Sequence, residues 1–108
     1  MKLYIGGAYQ GQLELARAEN PDALILSDFH EAVQEAMLRG EDARAFAQSV
    51  CAAHPDAVIV ANEVGAGVVP MEAQERAFRE AVGRALCVIA QEARQVTRVV
   101  CGIGVRIK

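Results

Sequence analysis

The sequence is poor in aromatic residues, in basic clusters and in long apolar runs. It contains no tryptophan, two tyrosines and three phenylalanines. No apolar run approaches the roughly 20 residues that a membrane-spanning helix requires. The formal net charge is -3, so we do not expect binding to nucleic acid or to an anionic membrane surface through bulk electrostatics. The apolar stretch near the N-terminus is too short for a signal peptide.

Cysteine is also scarce, and its pattern excludes several common roles. The three cysteines, Cys51, Cys87 and Cys101, are odd in number and form no C-x-x-C motif. This pattern predicts buried thiols in a reducing cytoplasm rather than a disulfide framework or a metal site. A hydrophobic content of 53% with 23% charged residues is typical of a globular protein. With 108 residues, we predict a single cytoplasmic domain over residues 1–108.

Predicted strands alternate with predicted helices along the chain. Short apolar runs predict four strands, at 2–5, 23–26, 57–61 and 98–101, with a terminal extension at 105–107. Apolar residues spaced i, i+3, i+4 and i+7 predict the helices, at about 12–19, 29–39, 42–54 and 71–93. This alternation predicts a three-layer α/β sandwich with a mainly parallel sheet and right-handed crossovers.

Two glycines, Gly6 and Gly11, lie five residues apart between the first strand and the first helix. This is the position of a phosphate-binding P-loop, G-x-x-x-x-G-K-[ST]. In that motif the backbone N–H groups hold phosphate, the lysine reaches the terminal phosphates and the hydroxyl holds Mg²⁺. Here Gln12 takes the lysine position and Leu13 takes the hydroxyl position. The same spacing is also typical of an ordinary tight turn, so both interpretations are open.

The two substitutions remove groups on which phosphoryl transfer depends. Gln12 can donate a hydrogen bond but carries no charge, and Leu13 cannot coordinate Mg²⁺. Phosphoryl transfer relies on positioning and charge neutralisation, and one preorganised donor is typically worth about 3–4 kcal/mol. We therefore expect very low kinase activity by that mechanism, although the bare loop could hold an anion weakly. The candidate nucleotide-binding residues are Gly6, Gly7, Ala8, Gly11 and Gln12.

A second polar, glycine-rich loop follows the third predicted strand. Asn62 and Glu63 come directly after the apolar run 57–61, and Gly65 and Gly67 follow them. Ligands of α/β proteins bind at the carboxyl ends of parallel strands, and glycine lets the backbone approach a ligand closely. The loop is therefore a candidate binding loop, and the alternative is an ordinary strand-to-helix connection.

The order of residues in this stretch adds a family resemblance. Residues 62–70, Asn-Glu-Val-Gly-Ala-Gly-Val-Val-Pro, resemble the signature of the bifunctional adenosylcobinamide kinase/adenosylcobinamide-phosphate guanylyltransferase family of cobalamin biosynthesis. The resemblance continues through 76–80 and 83–84 to 99–108, while the first 28 residues match more loosely. A long segment of the family between these parts is missing here. The resemblance thus implies a truncated P-loop NTPase-like fold.

The resemblance also implies ligands and assembly. It implies purine nucleotides, with GTP or ATP and Mg²⁺ as the candidate cofactors, and corrinoids as a second ligand class. Members of the family form trimers, so a homo-oligomer is expected. In the long helix the family continues Gly-Arg-x-Asn-Gln, whereas Gly83 and Arg84 are followed here by Ala85, Leu86 and Cys87. Arg84 is either a partner for an anionic group or a solvated helix charge.

The family's guanylyltransferase chemistry uses a histidine that accepts the nucleotidyl group, in a segment without a counterpart here. We do not transfer that role to His30, which we expect on a helix surface, or to His54, which we expect in an exposed turn. We assign no metal site and no catalytic residue, with Glu63 and Asp28 as weak candidates. Asp28 follows the second strand, where P-loop proteins often place a carboxylate associated with Mg²⁺. Its alternative role is a helix N-cap.

Three functional hypotheses follow from these residues. The first is a degenerate family member that binds a nucleotide, a corrinoid or a partner protein without catalysing the family reactions. The second is an active enzyme that uses replacement groups such as Glu63, Asp28 and His30. The third is a structural or assembly subunit that keeps only the fold.

Overall fold

The computed structural model describes residues 1–63 and 72–108 of the chain. Strands and helices alternate, and the described elements are β1 Lys2–Gly6, α1 Gln12–Glu19, β2 Ile25–Leu26, α2 Phe29–Leu38, α3 Ala43–Ala53, β3 Val58–Asn62, α4 Ala73–Glu92, β4 Gln95–Val100 and β5 Ile103–Arg106. Within these ranges no helix is both long enough and apolar enough to cross a membrane.

The strands form one five-stranded sheet in the order β2-β3-β1-β4-β5. The pairs β2–β3, β3–β1 and β1–β4 are parallel, and only β4–β5 is antiparallel. Helix α1 packs on one face of the sheet, and α2, α3 and α4 pack on the other. The predicted three-layer α/β sandwich with a mainly parallel sheet is confirmed.

Alternation along the strands divides the core into two parts. Leu3, Ile59 and Val96 face the layer of α2, α3 and α4, where the rings of Phe29 and Phe46 stack with centroids 5.9 Å apart. On the opposite face of the sheet, a smaller cluster packs beneath α1 and contains Tyr4, Ala16, Val58, Val60 and Val99. Both clusters pack against the same central strands and hold them in place. The carboxyl ends of these strands are therefore fixed, and a ligand site can form there.

A partly buried polar network joins the end of α1 to β1. The Tyr4 hydroxyl donates to Glu19 Oε1 at 2.7 Å and accepts from Asn20 Nδ2 at 3.0 Å. Lys2 Nζ donates to Asn20 Oδ1 at 2.8 Å. Burial raises the pKa of Tyr4, and its hydrogen bond to the Glu19 carboxylate adds to the effect. The tyrosine therefore stays a neutral donor that fixes the end of the helix.

The helices match the sequence predictions closely, whereas the outer strands do not. The run 23–26 was expected to form a buried strand, but β2 is a two-residue strand at the sheet edge and Leu24 is 53% exposed. β4 starts three residues earlier than expected, at Gln95, and the terminal extension is a fifth strand. Both departures lie at or beside the sheet edges, where a strand buries fewer side chains and its apolar pattern is correspondingly weak.

The expectation of three buried thiols is also wrong. Cys51 is half-buried, and burial raises its pKa. Cys87 and Cys101 are exposed. Cys87 lies on the outer side of α4, and Cys101 lies in the turn between β4 and β5, so neither position faces a core.

The β4–β5 turn has two residues with positive φ. Val100 pairs with Ile103 across the turn, and Cys101 and Gly102 have φ of 51° and 76°. Positive φ at both central positions is the type I′ geometry that matches the twist of a hairpin and favours Asn-Gly. Further along β5, a methyl group on Gly104 would lie 2.7 Å from Leu15 Cδ2. Glycine there lets α1 pack directly over the edge strand.

We predict that Cys101→Asn stabilises the protein. Asparagine tolerates positive φ better than cysteine and completes the favoured Asn-Gly turn, so we expect a gain of about 0.5–1 kcal/mol in the free energy of unfolding, within the range measured for favourable backbone substitutions. Chemical denaturation would measure it. Cys101→Val is the matched control and should lower stability, because a β-branched side chain opposes positive φ. Equal stability of the two variants would contradict the turn geometry.

Candidate functional site

The turn between β1 and α1, residues 6–12, is hereafter the glycine loop. A methyl group on Gly6 would lie 2.5 Å from the Val99 carbonyl oxygen, so the loop leaves β1 in close contact with β4. Gly11 has φ of 87° and starts α1 as its N-cap. Both glycines are thus required by the backbone. The turn that was expected between the first strand and the first helix is present at the carboxyl end of β1, and a nucleotide-binding role for it stays a prediction.

The Gln12 side chain folds inward and lies within the glycine loop. Gln12 as a whole is 5% exposed to solvent. Nε2 donates to the carbonyl oxygens of Gly6 at 3.2 Å and Gly7 at 3.0 Å, and to Asn62 Oδ1 at 2.8 Å. The Ala61 carbonyl oxygen lies at 3.5 Å. The amide donors at the lysine position of a P-loop are therefore engaged by the protein's own oxygens and do not point toward a ligand.

Gln10 joins the glycine loop to the β4–β5 turn. Its Oε1 accepts from the Cys101 backbone N–H, and its own carbonyl accepts from the Gly102 N–H, both at 2.7 Å. A methyl group on Gly11 would lie 3.4 Å from Gly102 Cα. The loop is therefore held from the β3 side by Gln12 and from the β4–β5 side by Gln10. No local pattern predicts the contact of Gln10, because Gln10 and the β4–β5 turn lie far apart along the chain.

His30 contacts the end of β3. Its Nδ1 accepts a hydrogen bond from the Asn62 backbone N–H at 3.1 Å, so this half-buried ring is not the free surface histidine expected from its helical position. The next residue, Glu63, donates its N–H to the Gly6 carbonyl at 2.8 Å. Its carboxylate lies 3.9 Å from Arg98. The ends of β1 and β3 and the start of α2 are thus connected around Asn62.

A groove of about 350 Å³ opens beside the glycine loop. Its lining combines the loop with the ends of β2 and β3 and consists of Tyr9, Gly11, Gln12, Leu13, Glu14, Ser27, Asp28, Val60 and Asn62. The charged side chains in this lining are the carboxylates of Glu14 and Asp28, and no lysine or arginine belongs to it among the described residues. The groove is therefore electronegative, which disfavours a polyphosphate.

Asp28 does not have the expected capping role. It occupies the N-cap position of α2, but with φ of 53° its side chain makes no cap hydrogen bond. Ligand atoms of Asp28, His30 and Glu31 lie within 4.8 Å of one another. Since His30 Nδ1 accepts an N–H, a neutral ring carries its proton on Nε2 and offers no free lone pair to a metal ion. This arrangement of the three side chains does not suit metal binding.

The other predicted residues are more dispersed. Arg84 pairs with Glu80 one helical turn away at 3.3 Å, and both side chains are more than half exposed. This contact is a solvated helix ion pair, worth little to stability. His54 is exposed, as expected. Gly65 and Gly67 lie outside the described residues. The structure thus brings Gln12, Asn62 and Glu63 together and leaves Arg84 in a separate surface contact.

Comparison with known proteins identifies the family. The model of the family described as CobU, cobinamide kinase / cobinamide phosphate guanyltransferase, matches residues 12–107. The chain belongs to the cobinamide kinase / cobinamide phosphate guanyltransferase family. The family match starts at Gln12, so residues 6–11 of the glycine loop precede it. The predicted resemblance is confirmed, together with a link to cobalamin biosynthesis.

Two relatives within this family show how much of the sequence is shared. The bifunctional adenosylcobalamin biosynthesis proteins CobU of Escherichia coli strain K12 and Salmonella typhimurium strain LT2 are each 49% identical to the chain over 51 residues. These residues make up 47% of this chain and 28% of each relative. The chain therefore matches well under two thirds of either relative, and their activities do not transfer to it directly.

The P-loop fold of the cobinamide kinase / cobinamide phosphate guanyltransferase family implies nucleotide-bound Mg²⁺, and the residues here do not fit that group. The hydroxyl position is Leu13, which lines the groove with an apolar side chain. The lysine position is an uncharged amide whose donors are already engaged. Asp28 offers one exposed carboxylate at the groove. With Glu14 it forms a pair of exposed carboxylates at the groove, and such groups hold Mg²⁺ poorly without substrate phosphates positioned beside them.

We predict that Gln12→Ala lowers the free energy of unfolding by about 1–3 kcal/mol, because it removes the shared partner of several buried oxygens. Urea denaturation would measure the change. Glu14→Ala, an exposed change in the same helix, is the control and should fall within about 0.5 kcal/mol of the unchanged protein. If both variants lose the same small amount of stability, Gln12 does not hold the loop.

We also predict that Gln12→Glu is more destabilising than Gln12→Ala at neutral pH. A carboxylate would face the oxygens that now accept from Nε2, and these contacts would become repulsive. The unfavourable environment should raise the carboxyl pKa in the folded state, so the loss should shrink as the pH falls toward and below the ordinary pKa of glutamate. Denaturation midpoints across this pH range would test it. A loss that stays constant with pH would contradict the inward orientation.

Proposed function

We propose that the chain is a non-catalytic member of its family that acts in cobalamin biosynthesis by binding a corrinoid or a partner protein rather than by transferring phosphoryl or nucleotidyl groups. The observation that carries the proposal is the Gln12 amide, which is buried and engaged by the Gly6, Gly7 and Asn62 oxygens. A group in this state cannot neutralise developing charge on a phosphate. A cytoplasmic location and a single domain are part of the same proposal.

The charge of the groove supports this choice over an active kinase. A nucleoside triphosphate brings several negative charges, and catalysis requires cations to offset them. The groove lining supplies the carboxylates of Glu14 and Asp28 instead. Of the weak catalytic candidates, Glu63 lies near Arg98, and the Asp28 side chain makes no cap hydrogen bond to α2. Neither is arranged as a general base with an orienting group.

The retained residues around Asn62 support a binding role. Asn62 Oδ1 accepts from Gln12, its N–H donates to His30, and Glu63 is held by Gly6. These contacts hold Asn62 and Glu63, the first two residues of the stretch whose order resembles the family signature. Ordered backbone at the carboxyl ends of parallel strands is where α/β proteins bind ligands. A neutral or amide-bearing ligand such as a corrinoid suits this electronegative site better than a polyphosphate.

A second candidate function is an assembly subunit. It is favoured by the apolar side chains on the outer strand β5, where Ile103 and Val105 are more than half exposed. This candidate requires no ligand in the groove.

The proposal predicts no turnover and weak nucleotide binding. Purified protein mixed with Mg²⁺ and ATP or GTP, with and without adenosylcobinamide, should give no phosphorylated or guanylylated product. Calorimetry should detect no nucleotide binding below millimolar concentrations, while corrinoid binding should remain measurable. Turnover at the rate of ordinary kinases would refute the non-catalytic assignment, and absence of corrinoid binding would favour the assembly role.

The double variant Gln12→Lys with Leu13→Ser tests whether the missing ammonium and hydroxyl groups cause the weak nucleotide binding that we expect. Restoring the ammonium and the hydroxyl should tighten binding of Mg²⁺-nucleotide by about tenfold or more, because a charge-assisted contact contributes about 1.5–3 kcal/mol. Gln12→Lys alone is the matched control and should recover only part of the affinity. No gain in the double variant would show that charge at position 12 does not limit nucleotide binding.

A further inference from the structure

The groove beside the glycine loop has an aromatic side chain at its rim. Tyr9 lines the groove, yet it is fully exposed, and no other ring stacks on it within residues 1–63 and 72–108. Leu13 and Val60 add apolar side chains to the same lining. An uncovered ring face beside apolar side chains offers a stacking surface for a flat ligand.

The backbone of Tyr9 is strained. Its φ is 62°, which is unusual for a bulky residue. Among the described residues, three that are not glycine have positive φ, and two of them, Tyr9 and Asp28, line the groove. The third, Cys101, donates its N–H to Gln10, the residue next to Tyr9. Strained backbone concentrates at ligand-binding sites, where the surrounding contacts hold it in place.

The size and charge of the groove limit what can stack on Tyr9. The groove volume of about 350 Å³ is near the lower end of the range for small-molecule sites, about 300–1,000 Å³, and suits a ligand of the size of a nucleoside. The carboxylates of Glu14 and Asp28 are exposed at the groove and disfavour phosphate groups. They can accept hydrogen bonds from hydroxyl groups, as acidic residues do from ribose in dinucleotide-binding folds.

We propose that the groove binds a nucleoside that carries no phosphate, with the base stacked on Tyr9 and the ribose hydroxyl groups donating to Asp28 or Glu14. Such a ligand combines a flat ring, several hydrogen-bond donors and the absence of negative charge. The inference rests on the proposed function for the source of this nucleoside, because the adenosyl group of adenosylcobinamide is joined to cobalt through its C5′ atom and has no phosphate. The adenosyl group then enters the groove, and the larger corrin ring stays outside it.

Calorimetry at low ionic strength tests the class of ligand. Adenosine should bind about tenfold or more tightly than ATP without Mg²⁺, because the phosphates are repelled by the groove carboxylates. The difference should shrink as salt is added, since exposed charges are screened. Asp28→Asn should also reduce it, whereas Asp56→Asn, an exposed change of the same charge before the start of β3, should not. Failure of adenosine to bind, or equally tight binding of ATP, would overturn the proposal.

Two substitutions at Tyr9 separate stacking from folding. Tyr9→Asn should weaken adenosine binding about tenfold, since it removes the ring, yet it should not lower the free energy of unfolding, because asparagine tolerates positive φ. Tyr9→Phe keeps the ring and should bind adenosine within about twofold of the unchanged protein, because stacking does not need the hydroxyl. Urea denaturation would measure the stability of each variant. Unchanged binding by Tyr9→Asn, or a loss of binding that follows a loss of stability, would contradict the stacking role.

Two corrinoids distinguish this inference from the proposed function. Adenosylcobinamide should bind about tenfold more tightly than dicyanocobinamide, which lacks the nucleoside, and Tyr9→Asn should remove this preference. Equal binding of the two corrinoids, with no binding of adenosine, would refute the nucleoside site and leave corrinoid binding intact. Binding of adenosine without binding of either corrinoid would support the nucleoside site and refute the corrinoid part of the proposed function.

Discussion

The hydrogen bonds of the Gln12 amide are the interaction on which the rest of the site depends. One buried Nε2 joins the carboxyl ends of β1 and β3 by contacting Gly6, Gly7 and Asn62. Buried carbonyl oxygens need partners, and an amide provides them without a charge. The position that would carry a phosphate-binding lysine therefore still completes the backbone of the loop. At this residue the amide meets a structural demand, which is to supply donors to the oxygens at the ends of β1 and β3.

Much of the fold could be predicted because its signals are local. Helical apolar spacing predicted α2 and α3, and α1 was placed at its observed bounds. The central strands are continuous apolar runs because both of their faces are covered. The same reasoning failed at the margins, where Ile25 and Leu26 are only half-buried. The apolar residues of β5 were not recognised as a strand, since glycines at 102 and 104 interrupt the pattern.

In the candidate site, too, some features could be predicted from the sequence and others could not. The loss of charge at Gln12 and of a hydroxyl at Leu13 follows from residue identity, so the sequence predicted it. Three contacts of the site join residues that lie far apart along the chain. They are the bond from the inward-facing Gln12 to Asn62, the bond from Asn62 to His30, and the bonds of Gln10 to the β4–β5 turn. No spacing rule encodes such contacts. The residue types at positions 12 and 13 could be read from the sequence. The hydrogen bonds that Gln12 makes could be seen only in the folded structure.

The two bonds of Gln10 to the β4–β5 turn have a consequence for how the molecule responds to its surroundings. Gln10 lies in the glycine loop beside the groove and accepts both hydrogen bonds from the turn that leads into β5, so a ligand that restricted the loop would also restrict this turn. Rigidity gained at one site lowers the entropic cost of occupying the second. By linkage the benefit is mutual. Occupancy of the groove and the conformation of the β4–β5 turn would in this way depend on each other.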